Sequence, residues 1–195
     1  YVSPFELLFK THGGSGYDIA CAQSDGPIAY KKQTSGPNWS PIYFDPPFKE
    51  NLYFVYQGKK QNSRDAIKEY NKKRPVDPTL IARITELTQA FINATDLQTF
   101  QSLMLEHEQI LSKTLDMPMV KEQRFSDFNG AIKSLGAWGG DFVLVATELS
   151  QEEVKAYFAT HGLETVYKYS DLICGPGRSI SSDSVKMGFS NHLLH

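Results

Sequence analysis

The chain has 195 residues, 41% of them apolar, and 20 Lys+Arg stand against 22 Asp+Glu for a formal net charge of −2. A chain of this length can bury roughly 70% of the surface its unfolded form exposes, and its balanced charge gives no reason to expect a nucleic-acid partner. Two cysteines, Cys21 and Cys174, make neither a disulfide framework nor a zinc-ligand spacing and are ordinary for a reducing compartment, and the longest apolar runs, such as residues 142–146, are far below the roughly 18 residues that span a bilayer. The chain reads as soluble and cytoplasmic, with no membrane partner.

Ser3-Pro4-Phe5-Glu6 combines a capping Ser, a Pro at the first helical position and a Glu at the third, and predicts a helix to about Thr11. Gly13-Gly14-Ser15-Gly16 then interrupts the chain before residues 17–22, which open a second helix directly from the glycines. Residues 28–30 and 42–44 are short strand candidates around a turn at Ser35-Gly36-Pro37-Asn38, and residues 52–57 are a stronger one. Asn62 or Ser63 caps a helix to about Lys73, where Arg74-Pro75 stops it. Asp77-Pro78 starts another, with Leu80, Ile84, Leu87 and Phe91 at helical spacing. Thr95-Asp96-Leu97-Gln98 is a capping box for a third, whose apolar face carries Leu97, Phe100, Leu103, His107, Ile110 and Leu111. Residues 131–135 and 142–147 read as two strands joined by a glycine turn. A helix with the capping box Ser150/Glu153 follows and stops at Gly162, and residues 165–169 are the last strand. Helices followed by a β-turn-β-α-β order argue for α+β with an antiparallel sheet. The organisation is residues 1–50, residues 51–173 and a Ser/Gly-rich tail, 174–195.

Two segments carry chemistry. Gly13-Gly14-Ser15-Gly16-Tyr17-Asp18 puts flexible backbone before a helix, so that free amides and the helix dipole suit an anion such as phosphate. Asp18, in the first turn, can accept a proton from a hydroxyl being phosphorylated or hold a metal ion, and it can equally do no more than complement the dipole. Lys133-Ser134-Leu135-Gly136-Ala137-Trp138-Gly139-Gly140-Asp141 is a second glycine loop, between strands. A plain hairpin turn needs glycines of this kind for positive φ, whereas a Trp among them asks for a packing partner or a ligand. No metal-ligand set is read, because His12, His107, His161, His192 and His195 share no close spacing with carboxylates. His107, on an apolar helix face, reads as a satisfied core residue. Lys59 and Lys60 suit either a solvated turn or a phosphorylated substrate.

Gly14-Ser15-Gly16-Tyr17-Asp18-Ile19-Ala20, followed by Gly136-Ala137-Trp138-Gly139-Gly140-Asp141, resembles the small-molecule kinases of the GHMP superfamily (galacto-, homoserine, mevalonate and phosphomevalonate kinases), most closely the branch named for the pentapeptide Gly16 to Ala20. The resemblance runs to about Ile173. It implies an ATP-dependent phosphotransferase, cytoplasmic and with Mg²⁺, that passes a γ-phosphoryl group to mevalonate, phosphomevalonate or a similar small acceptor in isoprenoid biosynthesis. Asp18 matches the family's catalytic base. Ser15 and Gly16 match its substrate segment, and Lys60 and Ser63 are a softer match to the strand-to-helix segment that faces substrate. Gly136, Ala137, Gly139 and Gly140 match the loop that folds against the nucleotide phosphates. The fold implied is a ferredoxin-like α+β C-terminal domain with a remnant of the N-terminal domain, and a homodimer is left open. Trp138 departs from the family's small residue, and the main phosphate loop, Gly-Leu-Gly-Ser-Ser, does not occur in the 195 residues. The chain is thus expected to correspond to the C-terminal part of such a kinase and to bind nucleotide poorly by itself. The competing expectation is a non-catalytic interaction module on a degenerate kinase fold.

Overall fold

The computed structural model describes residues 3–11, 15–33, 36–58, 77–136 and 141–173. The helix expected from Asn62 or Ser63, the residues Lys59, Lys60 and Ser63, loop positions 137–140 and the tail from Cys174 lie outside the described residues. The chain divides into two compact units, one comprising the residues up to Tyr43 together with those from Ile173 onward, the other Phe44–Leu172.

In the first unit, α1 (Pro4–Thr11) starts where Glu6 N donates to Ser3 Oγ at 3.1 Å, the capping contact expected from the sequence. The second helix, α2 (Tyr17–Ala22), begins at Gly16, whose φ of 83° and ψ of 5° is left-handed and so favours glycine. Strands β1 (Ile28–Gln33) and β2 (Gly36–Pro41) form an antiparallel hairpin in the register Ile28↔Pro41 to Gln33↔Gly36. The return strand is therefore 36–41 and not 42–44. Pairing starts at Gly36, and the chain leaves the ladder after Ile42 N donates to Pro27 O at 2.9 Å.

The second unit is a four-stranded antiparallel sheet with helices. Its elements, in chain order, are a 3-10 turn at Lys49–Asn51, β3 (Leu52–Tyr56), α3 (Pro78–Ile92), α4 (Leu97–Leu115), α5 (Val120–Arg124), β4 (Ala131–Ser134), β5 (Phe142–Ala146), α6 (Gln151–Thr160), β6 (Val166–Lys168) and α7 (Tyr169–Leu172). The sheet order is β4-β5-β3-β6, the α+β arrangement expected. Registers are Leu52↔Ala146 to Tyr56↔Phe142, Tyr53↔Lys168 to Val55↔Val166, and Ala131↔Ala146 to Ser134↔Val143.

Strand alternation puts Tyr53, Val55, Ile132, Val143 and Val145 on one buried face. They form a single core with Val120 and Phe125 from α5 and its end, and with Val154 and Phe158 from α6. Phe54 alternates to the other side and stacks on Tyr169, which meets Phe44; Phe44, Phe48 and Phe91 gather around Phe100 of α4. Helix starts follow their caps: Asp77 Oδ1 accepts from Thr79 N at 2.9 Å, Asp96 Oδ1 from Thr99 N at 2.7 Å, and Ser150 with Glu153 forms the reciprocal capping box. Helix α5, which sequence periodicity left unassigned, is five residues long and held by tertiary packing of Val120. On α4 the buried positions are Phe100, Met104 and Glu108. This stripe of i, i+4 and i+8 lies beside the expected one, because Phe100 enters the cluster of Phe44, Phe48 and Phe91 while Glu108 meets the edge strand β4.

Candidate functional site

Ser15, Gly16 and Asp18 come together at the start of α2. Gly16 is buried, Tyr17 N donates to Ser15 Oγ at 3.4 Å, and the Tyr30 hydroxyl from β1 donates to the Ser15 carbonyl. The hairpin therefore pins the glycine turn, and Ala20 is fully buried beneath it. Burial first and the charge of Asp18 second hold the hydroxyls of Tyr17 and Tyr30 and the thiol of Cys21 above their usual pKa values. Asp18 is thus the electrostatic centre of this corner. Its side chain is exposed. A six-residue helix whose only buried member is Ala20 leaves its first turn open.

Gly136 belongs to the other unit, where it adopts φ +66° with nothing among the described residues within 4 Å of a Cβ built on it. Its backbone is open to close approach. The ends of the turn are held by the sheet: Leu135 N donates to Phe142 O at 3.1 Å, and Gln57 N, just past β3, donates to Asp141 O at 2.8 Å. Arg124 donates to Gln57 Oε1 while its guanidinium lies 5.1 Å from the Phe125 ring centroid. A fixed cation therefore stands at the glycine-turn end of the sheet. Sequence reasoning passed over Arg124, because it closes a short helix without periodicity and its partner Gln57 is 67 positions away. Of the remaining expected site residues, Lys60, Ser63, Ala137, Gly139 and Gly140 lie outside the described residues.

A second polar cluster was not anticipated. Glu108 is 1% exposed; its Oε1 accepts from Ser134 N at 3.0 Å, the outward amide of the edge strand, and the Val120 amide also faces the carboxylate. Burial pushes Glu108 up to about 7, against the opposing pull of Lys133, and the same two causes, burial first and then Lys133, push His107 down to about 4. Among the described residues Glu108 Oε2, Ser134 Oγ and His107 Nδ1 are buried polar atoms that find no partner, so His107 is not the satisfied core residue expected. Among the described residues no three His, Cys, Asp or Glu side chains converge to hold a metal ion, and no helix is long and apolar enough to cross a membrane.

No protein-family model and no curated protein matches the sequence. Solved structures do. The chain is similar to L. major mevalonate kinase in complex with R-mevalonate, at 20% identity and a TM-score of 0.61, over 84% of this chain and 55% of that one. It is similar to Streptococcus pneumoniae phosphomevalonate kinase in complex with phosphomevalonate and AMPPNP, at 15% identity and a TM-score of 0.66, over 84% and 58%. A Lin0012 protein from Listeria innocua matches at 17% identity and a TM-score of 0.64, over 83% and 58%. The chain spans little more than half the length of these structures and has a GHMP-kinase-like fold.

Proposed function

We propose that this chain serves an ATP-dependent phosphotransferase that passes a γ-phosphoryl group to mevalonate, phosphomevalonate or a similar small acceptor. The observation that carries the reading is the left-handed turn at Gly16, pinned by Tyr30, which delivers Asp18 as an accessible carboxylate at the start of α2. Support comes from the fold, shared with mevalonate and phosphomevalonate kinases over more than four-fifths of the chain. In this reading Asp18 accepts or orients the proton of the acceptor hydroxyl, and Ser15 and Gly16 shape the turn beside it. Gly136, with open space where a side chain would stand, lets backbone approach the nucleotide phosphates, and Arg124 opposes their charge. The nucleotide supplies the phosphoryl group. Magnesium, which takes most of its ligands from phosphate and water, needs no three-residue cage from the protein.

Asp18→Asn tests the assignment in the full-length protein with a panel of acceptors and Mg-ATP. The expected result is a kcat lower by on the order of 10² or more with nucleotide affinity nearly unchanged, since proton handling contributes about 10²–10⁴. Parental turnover in the variant, with phosphoryl transfer shown to be rate-limiting, removes Asp18 from the mechanism. Absence of transfer to every acceptor by the parent overturns the kinase reading itself.

A further inference from the structure

Between α4, α5 and β4 lies a cleft of about 810 Å³, lined from β4 by Ala131 and Ile132 at the end of the strand remote from Gly136. Its apolar walls include Leu105, Met119 and Ile132, and its acidic groups are Glu108, Glu122 and Glu148. Lys121 also lines it, with Nζ already donating to Gly130 O at 2.6 Å. Glu108 lines the cleft as a buried side chain whose Oε2 has no hydrogen-bond partner among the described residues, and a buried polar atom left unpaired is costly. We propose that this cleft is a binding site for a small primary ammonium ion with an apolar body, the ammonium donating to Glu108 Oε2 and the body lying on Leu105, Met119 and Ile132.

The charge arrangement favours a cation that is also a hydrogen-bond donor. An anionic ligand would meet Glu122 and Glu148 at the cleft and a third carboxylate in its interior. A neutral apolar ligand would leave Oε2 unsatisfied. Besides Lys121 and Glu122 of α5 and Glu148, which line the same cleft, the charged or titratable groups near Glu108 are Lys133 on β4, whose Nζ donates to Ser134 O at 2.9 Å, and His107 on α4 itself. His107, held near 4, is neutral and adds no competing positive charge above pH 6. Lys133 opposes the ionisation penalty of Glu108 without forming an ion pair with it. This site is independent of the kinase reading.

The probe is n-hexylammonium chloride, with sodium hexanoate as the charge-reversed control, followed by calorimetry and thermal shift on the full chain. Saturable binding of hexylammonium but not hexanoate is expected. Because Glu108 must ionise to receive the ammonium, affinity should be about tenfold higher at pH 8 than at pH 6, with one proton released on binding at pH 6. The proton release is read from the buffer dependence of the binding heat. Glu108→Gln, which keeps the acceptor for Ser134 N, should weaken binding at least about tenfold and abolish the pH dependence. Equal response to hexanoate, pH-independent affinity or binding heat without proton release overturns the proposal. If the variant does not fold, the pH dependence and proton release of the parent decide alone.

Discussion

Gly130 adopts φ +147°, and a Cβ built there would lie 2.6 Å from the Ala146 carbonyl oxygen and 2.8 Å from Thr147 Cβ. Neither neighbour can yield, since Ala146 is the last residue of β5 and Thr147 is bonded through Oγ1 to Asn129 O at 2.6 Å and through its backbone to Asn51. Gly130→Ala should therefore destabilise by about 3 kcal/mol, combining backbone strain with overpacking, read as a lower urea midpoint at unchanged slope. Gly136→Ala, equally left-handed but with open space around it, should cost only about 1 kcal/mol. Equal losses in the two would show that close approach does not distinguish them. At Glu108 the charged form is the penalised one: its folded-state pKa of about 7 lies above the ordinary 4.5, so the stability it allows below about 4.5 is lost as pH rises through 7. Measured by urea midpoints between pH 5 and 8, the parent should lose stability relative to Glu108→Gln, with a slope approaching about 1.4 kcal/mol per pH unit between 4.5 and about 7 and levelling off above that. A pH-independent difference would mean that the carboxylate is solvated.

At the scale of elements, what is local in the chain could be read from it. The caps at Ser3, Asp77 and Ser150 each bind an amide two or three residues ahead, so residue type at fixed spacing was sufficient evidence for a helix start; at α4 the cap is Asp96, which binds Thr99 N, one residue past the Thr95 of the capping box read from the sequence. Strands β3, β4 and β5 were legible because their apolar runs are bounded by turn residues. The hairpin was misplaced because its return strand, Gly-Pro-Asn-Trp-Ser-Pro, has the composition of a loop and becomes a strand only by pairing with β1. The turn bearing Asp18 was visible because Ser15, Gly16 and Asp18 are sequence neighbours. Arg124 and Glu108 were not, since each acquires its role from a partner 67 or 26 positions away. A glutamate at position 108 reads as solvent-facing until the edge of β4, with its unpaired Ser134 amide, is laid against α4.

For the whole molecule, the two compact units differ sharply in what they bury. Among the described residues up to Tyr43 only Gly16 and Ala20 are buried, whereas Phe44–Leu172 encloses Tyr53, Val55, Phe125, Val143, Val145, Val154 and Phe158 in one core. A two-stranded hairpin is by itself marginal in water, and local opening free energies fall where few apolar contacts lie behind the hydrogen bonds. The turn that presents Asp18 is pinned by Tyr30, a residue of that same hairpin, so the carboxylate of the proposed kinase rests on the unit with fewer buried side chains among the described residues. Amide hydrogen exchange on the full chain should then show β1 and β2 exchanging on the order of 10²-fold faster than β3 and β5, and an added substrate that engages Asp18 should slow the hairpin while leaving the sheet of the second unit unchanged. Protection of the hairpin equal to that of β3 in the free chain would show that both units open as one cooperative body, and the dependence of the Asp18 turn on local hairpin stability would fall with it.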